Sequence, residues 1–580
     1  MGAVKPLADL ARIPPRTLNA LSSWCSNRME TMRGYRLPWW THWAQLAEMY
    51  LPRRYRWFVT ANQYSRGSPL NQAIVDETGL LAARTLATGL LSGLTSPTKP
   101  WFRLGLAGVD DLPEGPAKEW LAECTNRMLA VYAKSNFYQS LGTAYHDLGV
   151  FGSAAQIQYE DPDDVIRFYN PCLGEFFFGL SNRLQVDTLY REYTYTISEA
   201  VKEFGLDALS VSSQQLAKSA ASQDTEIVIG HAIEPNTVVY EGGQPCGYAV
   251  PASMPYREVF WESTTNAGAQ NRGWVIRCNG FRERPFVGLR WDVTSNDPYG
   301  RSPGMDALPA VRQLQIEQRR KAEAIDKMVR PPMVASVSMK NEPMDILPGG
   351  VSYVADPAGS GFKPAFTVEP RIQEMMNDII EVQSRVGEVF FVPLFRMISS
   401  ENKVQTATWV DAAREEKLIL LGPVIERVEN EGLDEIIDRT FAIMSRRGLF
   451  PDPPPEIAGR PVSIQYISIL AEAQRASSTS SIERWLQLCA GLVAVKPDAI
   501  DNINVDQTIL RYGDLLNIPP DLNNPDKVKA AIRQGRAQEQ QAQAALQVGA
   551  EAAQGAKTLS ETQVGQGGGS ALDAILGTAG

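Results

Sequence analysis

Residues 299–334 read YGRSPGMDALPAVRQLQIEQRRKAEAIDKMVRPPMV, and the reading of this stretch decides the architecture of the chain. Pro303 and Gly304 punctuate its start, and Asp306 is placed to cap a helix. From Ala307 to Val329 the chain is rich in the helix formers Gln, Glu, Arg, Lys and Ala. Pro309 falls in the first turn, where a missing N–H costs little. Pro331 and Pro332 end the helix, because proline cannot donate the helical hydrogen bond and constrains the residue before it. At 1.5 Å per residue this is a rod of about 35 Å. Its apolar stripe is thin: Leu308, Val311, Leu314, Ala322, Ile325 and Val329. Arg312, Arg319, Arg320, Lys321 and Lys327 make a basic face, partly offset by Glu317, Glu323 and Asp326. A rod so long and so polar is predicted to pack among copies of itself or against a close partner, not inside a core.

A partner rod lies further along. Arg371 to Phe390 carries Ile372, Met375, Met376, Ile379, Val382, Val386, Val389 and Phe390 at helical spacing, with Pro370 where a first-turn proline belongs. Between the rods, Met333 to Val368 is a strand-prone insert containing PGGVSYVADPAGSGFKP. Two rods flanking such an insert make a hairpin with a head; an ordinary helical pair in a globular domain fits the same pattern.

At 580 residues the chain has room for about three or four domains and a large core. Its 44% hydrophobic and 21% charged composition is that of a globular protein. No apolar run approaches the length needed to cross a bilayer and the first residues lack a signal peptide's apolar core, so synthesis in the cytosol is expected. The cysteines (Cys25, Cys124, Cys172, Cys246, Cys278, Cys489) show no CxxC spacing, which argues against a zinc site or a disulfide framework. A net charge of −10 argues against a protein that coats nucleic acid.

In chain order, residues 8–50 read as two helices broken near Gly34 to Pro38. In LPWWTHWAQLAEMYLPRRYRWF (37–58), Trp39, Trp40, Trp43, Tyr50, Tyr55 and Trp57 stand beside Arg53, Arg54 and Arg56, a mixture that can stack on nucleic acid or fill a core or subunit contact. Residues 70–95 form a helix whose Ala73, Ala82, Ala83, Ala87, Gly89 and Gly93 permit close packing, followed by a strand from Trp101 to Leu106. Helices at 116–134 and 137–149 precede strands at Ala155–Tyr159, Val165–Tyr169, Gly174–Phe178 and Gln185–Tyr195, a short helix Ile197–Phe204, and more strands up to Trp291. With no alternating βαβ pattern, the class is α+β and mainly helical. After the second rod, residues 392–405 read as a loop opened by Pro393. A third long helix, capped by Thr406 or Thr408, runs to Arg447 and is predicted to kink at Gly422–Pro423. Beyond the proline-rich 451–455, helices are expected at 467–476, 480–494 and 525–547, and disorder from Gly549 onward.

No motif for catalysis stands out: there is no phosphate loop, GxGxxG turn, HExxH helix or calcium loop. Asp161, Asp163 and Asp164 can hold a cation or simply form a solvated turn. Glu426, Glu429, Glu431, Asp434, Glu435 and Asp438 can line a passage or face solvent. No catalytic residue, metal or cofactor is predicted. A structural assembly protein fits better than the alternative, a cytosolic nucleic-acid-processing enzyme with an unrecognised site.

Three segments carry a specific resemblance: GLLSGLTSPTKPWFRL (89–104), PYGRSPGMDALPAVRQLQIEQRRKAEAIDKMVRPPM (298–333) and TATWVDAAREEKLILLGPVIERVENEGLDEIIDRTF (406–441). In their order the chain resembles the portal, or head-to-tail connector, proteins of short-tailed double-stranded DNA bacteriophages, over about residues 20–480. The resemblance implies a ring of twelve subunits at one capsid vertex, around a channel for double-stranded DNA packaging and ejection. It implies a mixed wing at 1–306, stem helices at 307–330 and 371–391, a clip at 331–370 and a tunnel loop at 392–405. A kinked wing helix at 406–448, a linker and helical crown at 449–548 and a disordered tail at 549–580 complete that scheme. The implied partners are other copies of the chain, major capsid protein, terminase, tail adaptor and nozzle proteins, scaffolding protein and DNA, with no membrane. The location is the virion, after assembly in the host cytoplasm.

On this scheme Val311, Leu314, Ile325, Ile379, Val382 and Val386 are expected to make stem contacts between subunits. Arg396, Met397, Ile398, Ser399, Ser400, Asn402 and Lys403 are expected to face DNA, with Glu401 as the acidic exception. The basic face of the first rod is expected to meet neighbouring subunits or capsid protein, because fixed cations on the channel wall hold phosphate.

Overall fold

The structure is a computed structural model that describes residues 15–59, 70–106, 115–236, 239–241, 244–246, 254–263, 273–330, 333–334, 363–364, 371–399, 420–455, 457, 460–467, 485–489, 504, 507–508 and 526–561. The chain divides into two compact units. One comprises Met1–Arg103, Cys124–Pro451 and Ile464–Ser477; the other comprises Leu104–Glu123, Asp452–Ser463 and Ser478–Gly580.

Helices α1 (Pro15–Tyr50), α2 (Pro52–Val59) and α3 (Thr78–Leu94) come first, then strand β1 (Phe102–Leu106) and helices α4 (Pro116–Lys134) and α5 (Phe137–Phe151). Strands β2 (Ser153–Asp161), β3 (Val165–Tyr169), β4 (Phe176–Leu180) and β5 (Val186–Thr196) come after these, with helices α6 (Ile197–Phe204) and α7 (Val211–Ala217) next in the chain. Then come β6 (Glu226–Pro235), the small hairpin β7 (Val239–Glu241) and β8 (Gln244–Cys246), and β9 (Tyr256–Glu262), β10 (Trp274–Phe281) and β11 (Phe286–Arg290). The order is α+β, as the sequence pattern predicts. Two antiparallel sheets form, β10-β9-β6-β5-β4 and β11-β2-β3.

Helix α1 corrects one expectation, since it runs unbroken through Pro38. A proline inside a helix costs about 3 kcal/mol, yet both halves are pinned. Leu21, Cys25, Met29, Met32 and Arg36 are buried before it, and Trp43, Leu46, Ala47 and Tyr50 after it. The first half lies on the five-stranded sheet against Phe177, Tyr190, Ala232, Val259 and Trp261. The opposite face carries α6 and its surroundings, with Ala200, Ala208 and Leu209 on Tyr193, Ile229, Phe260 and Ile276. Of the six aromatic residues named in the N-terminal region, Trp43 and Tyr50 belong to the core, whereas Trp39, Trp40, Tyr55 and Trp57 are half-buried. Trp43 and Tyr50 are fully buried, Trp43 meets Tyr299 edge-on at 4.9 Å, and Arg54 pairs with buried Asp147 at 3.0 Å.

Charges are buried in the large sheet, and cross-strand register satisfies them. Arg191 on β5 lies opposite His231 on β6, which lies opposite Phe260 on β9. Arg191 Nε donates to His231 Nδ1 at 2.7 Å, and His231 Nε2 lies 2.8 Å from Glu258 Oε1. A ring whose Nδ1 accepts from a guanidinium has no room for a second proton, so His231 is neutral. Burial, then the Arg191 charge, lowers its pKa to about 4. Below 6.5 the unfolded histidine takes up a proton that the folded one refuses, so stability is lost as pH falls from 6.5 towards 4. Between pH 7 and 5 the wild type is expected to lose about 2 kcal/mol more than His231→Gln. Denaturant titrations at the two pH values check this; parallel losses refute it.

The acidic stretch at Asp161 is a closed turn. Asp161 Oδ1 accepts from the backbone N–H of both Asp163 and Asp164 at 2.9 Å, and these bonds hold its carboxyl below the usual range. Among the described residues no group of His, Cys, Asp and Glu has the arrangement of a metal site, and no helix is long and apolar enough to cross a membrane.

In the second unit, one helix spans Asp526–Glu561, past the point where disorder was expected from Gly549. Ala550, Ala552, Ala553 and Ala556, the best helix formers, stand around Gly549 and Gly555, each glycine costing about 1 kcal/mol relative to alanine. The expected helix at 467–476 and most of that at 480–494 lie outside the described residues.

Candidate functional site

Two rods form the centre of the first unit: α8 (Pro303–Val329) and α9 (Ile372–Val389). Helix α8 starts earlier than the expected Ala307, and its cap is Ser302, not Asp306. Ser302 Oγ accepts from Met305 N at 3.0 Å and donates to Val150 O at 2.6 Å, while Pro303 opens the first turn. Asp306 instead pairs with Arg301 at 2.8 Å. Of the insert between the rods, Met333–Val334 pairs antiparallel with Lys363–Pro364. The rest of 331–370 lies outside the described residues.

The rods are buried at their base and exposed beyond it. Met305, Ala307, Leu308, Val311, Leu314 and Gln315 are buried, whereas no residue from Ile316 to Val329 is. On α9, Ile379, Val382 and Val386 are buried and Glu374, Asp378 and Glu381 are exposed. Five of the six expected subunit-contact residues (Val311, Leu314, Ile379, Val382, Val386) are thus covered by the chain's own core, at 4% exposure or less. This corrects the expectation: the base of the hairpin needs those side chains to hold its two helices together. Ile325 is exposed, as are Ile316, Met328 and Val329 on α8 and Met376 and Ile380 on α9. Arg312, Arg319, Arg320 and Lys327 are exposed and Lys321 is half-buried. At about 100° per residue, Lys321 falls some 100° off the arc of the other four, so the basic face has four members.

One carboxylate ties both rods to the body, and the sequence reading missed it. Asp76 Oδ2 accepts from Gln318 Nε2 of α8 at 3.0 Å and from Gln383 Nε2 of α9 at 2.9 Å. Its Oδ1 accepts from Thr78 N at 2.9 Å, at the start of α3. Gln315 Oε1 accepts from Val75 N and Asp76 N, and its Nε2 donates to Asp76 O. Burial pushes the Asp76 carboxyl up, but hydrogen bonds from Thr78, Gln383 and Gln318 outweigh this and hold it below the usual range. No local motif marks this knot, because its partners come from distant parts of the chain.

The expected tunnel loop, 392–405, is helical over its first part: α10 spans Val392–Ser399. Proline at the second position suits a first helical turn, and Val392, Leu394 and Phe395 are buried. Phe391 turns the chain between the rods and α10 with φ +55°. Gly89 of α3 admits the Phe395 ring, since a Cβ there would lie 2.2 Å from Cδ1. Arg396 is exposed; Met397, Ile398 and Ser399 belong to the helix, their side chains outside the described residues. Ser400, Glu401, Asn402 and Lys403 lie outside them altogether, as do Thr406 and Thr408.

The third helix is described from 420. Its first segment, α11 (420–428), is helical through Pro423. The described departure from α geometry comes later, as a wide π-type turn at Glu429–Leu433, before α12 (Asp434–Arg446). Its cause is visible on both sides. Leu421, Ile425 and Val428 are buried before it, and Ile436, Ile437, Thr440 and Met444 after it. In an unbroken helix the second stripe would stand about 100° from the first, which is one residue. The turn absorbs that residue. Gly432 lies where a Cβ would meet Leu289 Cδ2 at 2.3 Å. Glu431 takes a two-pronged bond from Arg290 at 2.7 and 3.1 Å. Glu435 pairs with Arg284 at 2.9 Å, and Asp434 accepts from Tyr466 OH at 2.6 Å. Glu431, Glu435 and Asp434 thus fasten the helix to the body. Asp438 stays at the surface, where partial burial and then the Asp434 and Glu435 charges push it up to about 6.

The family described as "Bacteriophage head to tail connecting protein" matches residues 22–523. The "Portal protein" of Salmonella phage epsilon15 is 38% identical over 556 residues, 95% of this chain and 97% of its own. The "Probable portal protein" of Bordetella phage BPP-1 is 38% identical over 526 residues, covering 90% and 92%. A chain from the virion of the native gene transfer agent particle overlays 72% of this chain and 85% of its own at 10% identity, with a TM-score of 0.33, too low to carry an argument.

Proposed function

This chain belongs to the bacteriophage head-to-tail connecting proteins, and from that premise we propose that it is the structural portal of a phage particle and not an enzyme. It sits at the head–tail junction of the virion, as a ring at one capsid vertex through which double-stranded DNA enters and leaves. The observation that carries this reading is 38% identity to a portal protein over nearly the full length of both chains. The rods support it, since half of each is polar and uncovered, a state that suits a helix waiting for neighbours. An enzyme acting on nucleic acid is the other reading, and no observation favours it.

The finer assignments extend this proposal. Twelve copies close the ring; α8 and α9 form the stem, 331–370 the clip, α11 and α12 the wing helix, and 449–548 the linker and crown. The clip end docks terminase during packaging and then the tail adaptor and nozzle proteins. The outer stem meets major capsid protein, scaffolding protein takes part in assembly, and assembly takes place in the host cytoplasm. Of the exposed apolar positions, Ile325 keeps its role as a stem contact, joined by Ile316, Met328 and Val329. Negative-stain images and sedimentation of the purified protein, without DNA or nucleotide, should show large rings; a small, ring-free species overturns the proposal.

Residues after α10 are assigned to the DNA-facing constriction of the channel. The support is the anchored start: Leu394 and Phe395 fix α10 on α3 directly after the rod ends. Arg396 and Lys403 bracket this segment, and Ser400 and Asn402 are polar without charge, so little in it would grip phosphate. Deleting 400–403 leaves the buried anchor intact, so rings should still assemble while particles lose most of their packaged DNA. DNA content and infectivity of the deletion phage measure this, and wild-type values for both refute it.

A further inference from the structure

The uncovered halves of the two rods carry opposite charge. At about 100° per residue, Arg312, Arg319, Arg320 and Lys327 share an arc of about 100° on α8, and Glu374, Asp378, Glu381 and Glu388 share one of about 80° on α9. All eight are exposed, and among the described residues the only ion pair they make is Glu374 with Arg371, at 3.0 Å between two exposed side chains.

The fold also sets where these arcs point and how they line up. The rods run antiparallel: Tyr50 donates to Gly304 O at the start of α8 and meets the Phe390 ring at 5.5 Å at the end of α9. Asp76 levels Gln318 with Gln383. Counting in opposite directions from that pair, Arg320 stands level with Glu381, Lys327 with Glu374, and Arg312 within one residue of Glu388. Relative to its buried stripe, the basic arc is displaced by roughly 130° in one rotational sense about α8. The acidic arc is displaced by about as much in the opposite sense about α9. Because the rods point in opposite directions, these displacements put the arcs on opposite flanks of the hairpin.

We infer that the basic flank of each hairpin docks on the acidic flank of the next copy of this chain, in the ring that the proposed function calls for. Three charged rungs result, Arg312–Glu388, Arg320–Glu381 and Lys327–Glu374, spaced about 10–12 Å along the rods. Two residues go against the pattern: Glu323 lies within the basic arc, level with Asp378, and Arg385 lies within the acidic one. Each flank still has four charges of its sign against one of the other. A two-fold pair would set like against like, so the flanks select head-to-tail closure, the geometry of a ring. The basic residues then face protein on the neighbouring copy, which leaves the channel wall without them.

The test reverses one flank at a time in the full chain. Arg312→Glu/Arg320→Glu/Lys327→Glu carries two acidic flanks, and Glu374→Lys/Glu381→Lys/Glu388→Lys two basic ones. Each alone should stay unassembled, with the concentration for half-assembly raised by about a hundredfold. Mixed in equal amounts, they should form rings of alternating subunits, read by sedimentation and by negative stain. Circular dichroism confirms that each variant is folded; should a triple variant fail there, Arg320→Glu alone and its rescue by Glu381→Lys provide the same comparison. Rings from either folded variant alone overturn the inference, and so does a mixture that fails to assemble. If the wild type itself makes no rings, the portal reading falls first, which separates the two failures.

Discussion

Val386→Asp should unfold the base of the rod hairpin in the isolated chain and leave no rings. Val386 is fully buried on α9, on the stripe it shares with Ile379 and Val382. A carboxylate placed there must be desolvated or protonated, at a cost on the order of 5 kcal/mol. That is a large share of the stability of a typical domain. The informative measurement is thermal melting at a concentration below ring assembly. If the chain's own core claims Val386, the unassembled protein melts well below the wild type. A variant with unchanged melting that has lost only its rings would return Val386 to the contact between subunits. Val386→Ala, which leaves a cavity without a charge, should show a smaller loss in the same assay.

A comparable effect is expected at the wide turn of the third helix. Arg290 on β11 is almost fully buried and spends its guanidinium on Glu431, on Leu184 O at 2.8 Å and on Asp297 O at 3.4 Å. Arg290→Met retains the apolar stem but strands Glu431, and removing one partner of a buried pair costs about 3–5 kcal/mol. Hydrogen exchange should rise sharply across 420–446, because α11 and α12 lose their anchor to the sheet. Arg290→Met/Glu431→Leu should recover part of the loss, since a pair of apolar side chains leaves no uncompensated charge. Equal exchange in wild type and Arg290→Met would show that the remaining contacts, among them Ile436, Ile437 and the Glu435–Arg284 pair, hold the helix without it.

The rods were legible from sequence because their signals are local: helix formers in a run, prolines at the borders, an apolar stripe at helical period. The misreadings came where two local signals compete. Ser302–Pro303 and Asp306 each look like a start, and burial of Ser302 against Val150 decides between them. Pro393 marks a break and equally a first turn, and the buried Leu394 and Phe395 favour the turn. Pro38 sits inside a helix because packing on both sides outweighs its cost. The subunit-contact expectation puts Val311, Leu314, Ile325, Ile379, Val382 and Val386 on one seam, whereas all but Ile325 serve the chain's own core. The slip of the apolar stripe between Val428 and Ile436 was readable in principle, since a period that jumps by one residue announces a wide turn. Asp76 was not readable, as nothing near it in sequence hints at Gln318 or Gln383.

That carboxylate has a mechanical consequence. Past Gln318, α8 extends about 16 Å to Val329, so the hairpin is a cantilever and Asp76 its fulcrum. Because the two rods share this fulcrum, a load at the tip swings them as one beam instead of shearing them apart. Asp76 itself and Gln315 are buried, where ions screen less than at the surface. The joint's stiffness should therefore hold steady while a polyanion and its counterions stream past.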